Sequence, residues 1–221
     1  MDRTLISQRF ALAPAPGRRA APTAAISGSV VAVPMPPDHA RRGDHDLNPD
    51  MLPDRTLVPA AVLVGLVERL DGISVLLTKR TPHLADHAGQ IAFPGGRIDP
   101  ADADAVAAAL REAEEEVGLP ARNVEMLGRL DTYVTRTGFE VTPCVGFVTP
   151  PDLYRPDPFE VAEVFEVPLA FILDPASRQR QSRIYAGKTR YFYVFPWQDY
   201  YIWGATAGML VNLADLLLDR P

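Results

Sequence analysis

The chain has 221 residues, 47% of them hydrophobic, with 22 Lys plus Arg against 28 Asp plus Glu and a formal charge of -6. That length and apolar content suffice for one good core, and the acidic balance argues against a broad nucleic-acid surface, which needs a basic patch or stripe. The single cysteine, Cys144, excludes an intrachain disulfide, and no apolar run reaches the roughly 18 residues of a membrane span.

In chain order, residues 1–55 are rich in Pro, Ala and Arg without a sustained period, which predicts an extended or partly disordered arm. Such an arm is available to pack on the domain or on a second subunit, so a homodimer is one expected assembly. The opening residues lack the apolar region of a signal peptide, and the expected compartment is the cytoplasm, with no membrane partner. The remainder, residues 56–221, reads as one domain.

From Leu57 the apolar runs are strand-like. PAAVLVGLVE and ISVLLTK flank Asp71-Gly72, a hairpin signal. GQIAF ends at Phe93-Pro94-Gly95-Gly96, where paired glycines permit close backbone approach. The run Ala105 to Val117 contains neither Pro nor Gly and is rich in Ala, Glu and Leu, so it is a predicted helix that Asp102 or Asp104 can cap. Two further runs, VEMLGRLDTYVTR and FEVTPCVGFV, are separated by a turn at Arg136 to Gly138, and Cys144 in the second reads as a buried core thiol. EVAEVFEVPL follows, then a hairpin across Ala186-Gly187-Lys188, then a closing helix from about Ala205 to Leu218. A mixed sheet with two covering helices fits this order.

The predicted helix carries the chemistry. Val106, Leu110, Ala113 and Val117 form an apolar stripe, while Glu112, Glu115 and Glu116 stand at i, i+3 and i+4 on another face. Clustered like charges repel, and a divalent cation relieves that repulsion. Hard carboxylate oxygens suit Mg²⁺ or Mn²⁺. A solvated acidic face is the alternative reading of the helix by itself.

The context upstream favours the metal. Arg111, Glu112, Glu115, Glu116 and Gly118 of REAEEEVGL resemble the core of the Nudix box, the signature of Nudix hydrolases. The front of the box departs from the general pattern: Ala103 stands where a Glu is usual, and the distance from Gly96 to Arg111 is one residue longer. Nudix enzymes of the coenzyme A pyrophosphatase group carry a similar lengthened segment, matched by Gly95, Gly96, Asp99, Pro100, Asp102 and Asp104. Their upstream signature is matched by Leu76, Leu77, Thr78, Arg80, Leu84, His87, Gly89, Gln90, Phe93 and Pro94, with Ala85 where a basic residue is frequent. The stretches EVAEVFEVPL and IWGATA agree, and the likeness covers roughly residues 57–219.

The resemblance implies an α/β (α+β) Nudix-like α/β/α sandwich with a mixed sheet, preceded by the Pro/Ala-rich arm. It implies metal-dependent hydrolysis of the diphosphate of coenzyme A or acyl-coenzyme A to 3′,5′-ADP and 4′-phosphopantetheine or its acyl form. On the same grounds Glu112, Glu115 and Glu116 are expected metal ligands for Mg²⁺ or Mn²⁺. Arg111 is expected to orient a ligand carboxylate, and the general base is one of the helix glutamates or Glu160 or Glu163. Arg80, His87, Gln90, Gly95, Gly96 and Arg97 are the expected substrate contacts, with Arg80, Lys79 or Arg97 meeting the 3′-phosphate. An ADP-ribose or other nucleoside-diphosphate pyrophosphatase would share every metal ligand. A non-catalytic nucleotide sensor predicts a lost box carboxylate, and all three are present. RNA decapping lacks both a basic stripe and interleaved aromatics.

Overall fold

Side chains along Val58–Arg69 alternate between two cores, as a strand buried on both faces requires. Ala60, Val64 and Leu66 enter one apolar cluster, and Ala61, Leu63 and Val67 enter the other. This strand is the middle of a computed structural model that describes residues 1–12, 41–83 and 89–218.

In order, the elements are α1 (Arg3–Leu12), β1 (Arg41–Gly43), β2 (Val58–Arg69), β3 (Gly72–Arg80), β4 (Ile91–Ala92), β5 (Gly95–Arg97) and α2 (Ala105–Val117). There follow β6 (Val124–Arg129), β7 (Thr132–Val134), β8 (Phe139–Val148), β9 (Val161–Pro168), α3 (Leu169–Leu173), β10 (Gln179–Tyr185), β11 (Lys188–Trp197), β12 (Tyr200–Trp203) and α4 (Gly204–Leu217). Among the described residues nine strands make a mixed sheet with the path β1-β7-β8-β2-β3-β4, to which β5, β6 and β9 add. β2 runs parallel to β8 from the Val58–Phe139 pair to the Val67–Val148 pair, and forms the expected hairpin with β3, closing at Arg69 and Gly72. A separate three-stranded sheet, β10-β11-β12, carries the second expected hairpin, closing at Tyr185 and Lys188.

Helices α2 and α4 cover opposite faces of the large sheet. Ala108, Ala109, Ala113 and Val117 of α2 pack with Leu63, Leu76 and Cys144, while Leu210, Leu213 and Leu217 of α4 pack with Val64, Leu66 and Leu77. The result is the expected α/β/α sandwich. The run VEMLGRLDTYVTR does not stay one strand: it breaks at Leu130-Asp131 into β6 and β7, and Asp131 offers its carbonyl to buried Asn212 of α4 at 3.0 Å.

The expectation of an extended arm does not hold for Arg3–Leu12, which is helical and places Ile6 fully inside the core of α4. Packing of one apolar residue, together with Phe10 against the same cluster, outweighs a weak helical pattern. Further along the arm, β1 pairs in parallel with β7, and Arg42 reaches Asp215 of α4 at 2.8 Å. These contacts tie residues 41–43 to the sheet.

Candidate active site

Helix α2 has the expected bounds. Asp104 caps it, its carboxylate accepting from the Ala107 N–H at 2.9 Å, and Gly118 ends it in a left-handed turn at φ 66°. The buried stripe differs from the expected one: it is Ala105, Ala108, Ala109, Ala113, Glu116 and Val117, while Val106 and Leu110 are only partly covered. Four small alanines let the helix lie close on the sheet, and that rotation carries Glu116 inward. The three box glutamates therefore do not share one exposed face.

Glu116 is 4% exposed. Its Oε2 accepts the Gly95 N–H at 3.1 Å, and its Oε1 lies 3.7 Å from the Arg80 guanidinium. Burial pushes its pKa up from the ordinary 4.5 to about 7; the Gly95 N–H and Arg80 oppose that rise, and Glu160 and Glu112 add to it. Glu112 is also raised, chiefly by desolvation, against the pull of Arg111 and with help from Glu115 and Glu160. Glu160 thus acts as a like charge on both Glu112 and Glu116, and Glu112 acts so on Glu116. The bare Cα of Gly96 faces Glu112: a Cβ built there would stand 2.5 Å from Oε1 and 2.7 Å from Oε2.

Arg111 is the hub of this corner. Its fork grips Asp102 through Nε and Nη2, both at 3.0 Å, and Nη1 donates to Glu112 and to Glu115, both at 2.9 Å. Nη2 also donates to the Arg97 carbonyl at 3.2 Å. One planar guanidinium therefore fastens the turn before α2, strand β5 and two box glutamates together, geometry a lysine cannot reproduce. These partners hold its own pKa well above the usual range.

Beside the glutamates opens a cavity of about 520 Å³, whose lining includes Arg80, Gln90, Gly95, Gly96 and Arg97. Arg80 is aimed by an irregularity in the β3–β9 ladder, where the register shifts between Lys79 and Arg80. Its backbone N–H donates to the Gln90 carbonyl at 2.9 Å, which fastens the expected substrate segment to β3. Expected contacts Arg80, Gln90, Gly95, Gly96 and Arg97 thus meet in one place. His87, with Leu84 and Ala85, lies outside the described residues.

The two general-base candidates outside the helix part company. Glu160, exposed and just before β9, is close enough to Glu112 and Glu116 to raise both pKa values. Glu163 belongs to the opposite side of the sheet, in step with Phe165 and Val167, and accepts a 2.5 Å hydrogen bond from Tyr200. Cys144 is no nucleophile: burial pushes its thiol up to about 12.

The far wall went unread in the sequence. It comes from the small sheet and the loop after β7: Arg136, Arg183, Tyr185, Arg190, Phe192 and Trp203. The first residues of α4, Gly204 to Thr206, complete it, and the Thr206 hydroxyl donates to the Ile91 carbonyl at 2.9 Å. Cross-strand registers brought these residues together, and only the IWGATA stretch had signalled any of them.

A NUDIX domain model matches residues 57–187. The chain belongs to the Nudix hydrolase family. It is 48% identical, over 70% of its own length and 80% of the relative's, to the uncharacterized Nudix hydrolase NudL of Escherichia coli K12. The NudL protein of Shigella boydii serotype 18 is 47% identical over the same shares. Among solved structures, a MutT/nudix family protein from Enterococcus faecalis matches 76% of this chain and 65% of its own at 16% identity and TM-score 0.47. This Nudix member is accordingly a hydrolase of phosphoanhydride bonds.

Nudix hydrolases generally require a divalent metal ion. Among the described residues no three acidic, His or Cys side chains converge tightly enough to enclose one, because Glu112 and Glu115 turn to Arg111 and Glu116 turns to Gly95. The donors nonetheless fit in chemistry and place. They are hard oxygens, two are desolvated with raised pKa values, and Glu112 sits in the space that a side chain at Gly96 would fill. A cation there would offset the cost of ionising both.

Proposed function

We propose that this Nudix hydrolase cleaves the diphosphate of coenzyme A or its acyl thioesters to 3′,5′-ADP and 4′-phosphopantetheine or its acyl form, using Mg²⁺ or Mn²⁺ in the cytoplasm. Residues 56–221 form the hydrolase domain and residues 1–55 an extension of it. The observation that carries the reading is the adjacency of desolvated Glu112 and Glu116 to a 520 Å³ cavity walled by arginines and aromatic rings. Such a cavity suits a polyanionic ligand with a flat, apolar part. The coenzyme A assignment draws support from the match of the Leu76 to Gly96 segment to that group.

Glu112, Glu115 and Glu116 would hold the divalent cation, which when bound would supply charge neutralisation at the diphosphate and a more acidic water. Arg80 and Arg97 bind the non-bridging phosphate oxygens, which otherwise repel a nucleophile. Arg111 positions Glu112 and Glu115 through its fork. Glu160 accepts the proton of the attacking water, whose oxygen bonds to one phosphorus as the bridging P–O bond breaks. Two phosphomonoesters result.

The test is a product assay offering coenzyme A, dephospho-coenzyme A, ADP-ribose and a dinucleoside polyphosphate at equal concentration with Mg²⁺ or Mn²⁺. The highest kcat/KM is expected for coenzyme A. Preference for ADP-ribose would retain the metal chemistry and discard the substrate, and no turnover of any would favour a nucleotide-binding module.

A further inference from the structure

The cavity lining holds further cations that make no ion pair with the box glutamates among the described residues. Arg183 of β10 and Arg190 of β11 are directly opposite one another in the small sheet, and both line the cavity. Like charges placed opposite across two strands destabilise a sheet, so the pair is a cost to the fold by itself. Arg190 is partly compensated: Asp50 binds it and also takes Lys188 at 2.7 Å, and those two cations hold the Asp50 carboxyl well below its usual range. Even so the buried Nε of Arg190 has no hydrogen-bond partner among the described residues.

Arg183 and Arg136 have no carboxylate within ion-pair distance among the described residues. Each lies instead over a ring, Arg183 at 5.1 Å from the Trp203 centroid and Arg136 at 4.9 Å from that of Tyr185. Stacking on a ring restrains the guanidinium and leaves its N–H edge free to donate. The Arg136 backbone N–H donates to Asp44 at 2.7 Å, and the same carboxylate accepts from the Tyr133 hydroxyl at 2.8 Å, which anchors the loop that presents Arg136. Two ring-supported guanidiniums and a third whose Nε has no partner among the described residues therefore border the cavity. None of them pairs with Glu112, Glu115 or Glu116 among the described residues.

We propose that Arg136, Arg183 and Arg190 form a phosphomonoester site that reads a terminal phosphate of the substrate distinct from the scissile diphosphate. The proposal rests on the cavity being the nucleotide-diphosphate site, and it moves the expected 3′-phosphate contact from Lys79, Arg80 or Arg97 to the small sheet. Arg80 and Arg97, next to Gly96 and the glutamates, are left for the scissile group.

Calorimetric titration of the full-length protein with Mg²⁺ tests it, using adenosine 3′,5′-bisphosphate and AMP as probes. The wild type is expected to bind the bisphosphate at least about tenfold more tightly, the scale of one charge-assisted contact. Arg136→Gln with Arg183→Gln is expected to bring the two affinities within about twofold, and Arg183→Lys to keep part of the preference. Circular dichroism and AMP binding report whether the variants are folded. Equal wild-type affinities, including no measurable binding of either probe, overturn the proposal, as does a preference unchanged in the double variant. Failure to cleave coenzyme A in the product assay would instead overturn the substrate reading, because the site is read here from binding alone.

Discussion

Glu112 lies against the backbone of Gly96 at a point where any side chain on that residue would meet its carboxylate. The backbone of Gly96 needs no left-handed conformation, so the missing Cβ serves the neighbour rather than the turn. Gly96→Ala is expected to displace Glu112 and lower kcat by about one to two orders of magnitude, the scale of a misplaced catalytic group. The thermal midpoint should fall little, since the carboxylate is the far end of a flexible side chain. Steady-state kinetics beside a melting curve checks both halves. Gly95→Ala is the contrast: its Cβ would meet the backbone carbonyl of Ala61, and loss of the fold is expected there.

Glu116 links stability to pH. Its pKa in the folded protein is raised by burial to about 7 from 4.5, so between those values the folded state holds a proton that the unfolded chain has released. Stability of the metal-free protein should therefore fall as pH rises from about 4.5 to about 7, by about 3 kcal/mol at most. Mg²⁺ should raise the melting temperature more at pH 8 than at pH 5, because it binds the ionised form. Glu116→Gln should flatten the metal-free profile and remove the Mg²⁺ effect. Melting curves across that range decide it.

Arg111→Lys tests the fork. A lysine keeps the charge but cannot hold Asp102 through two nitrogens while serving Glu112 and Glu115. A drop in kcat of about ten- to a hundredfold, with KM changed less, is the expected result. Wild-type kcat in the variant would make Arg111 a surface cation.

Glu160 and Glu163 should separate in kinetics as they do in space. Glu160→Gln is expected to lower kcat by about a hundredfold or more, in the range of a lost general base. Glu163→Gln, on the Tyr200 side of the sheet, should stay within a few fold. The reverse ranking would move the base to the other face.

The local parts of this molecule were legible in the sequence, and the assembled parts were not. The bounds of α2, its Asp104 cap and the turns at Asp71-Gly72 and Ala186-Gly187 follow from rules that act over a few residues. The inward turn of Glu116 escaped because bulky Val106 and Leu110 suggested the buried stripe, whereas the alanines pack it. Ile6 escaped because one buried side chain in a weakly patterned arm leaves no period to read. The Arg183–Arg190 wall depends on pairing between β10 and β11 and on where that sheet meets β2 and β5, which neither propensity nor spacing encodes. The residues proposed to face the diphosphate were picked out through a resemblance, and their geometry came only from the fold.

The most direct test of the account is hydrolysis of coenzyme A by the wild type and by Glu112→Gln and Glu116→Gln, with products resolved in Mg²⁺ and in excess chelator. The expected result is 3′,5′-ADP and 4′-phosphopantetheine in equal amounts from the wild type with Mg²⁺, and a loss of orders of magnitude in both variants and in chelator. Hydrolysis that survives the chelator, or that proceeds at the wild-type rate in either variant, would contradict it.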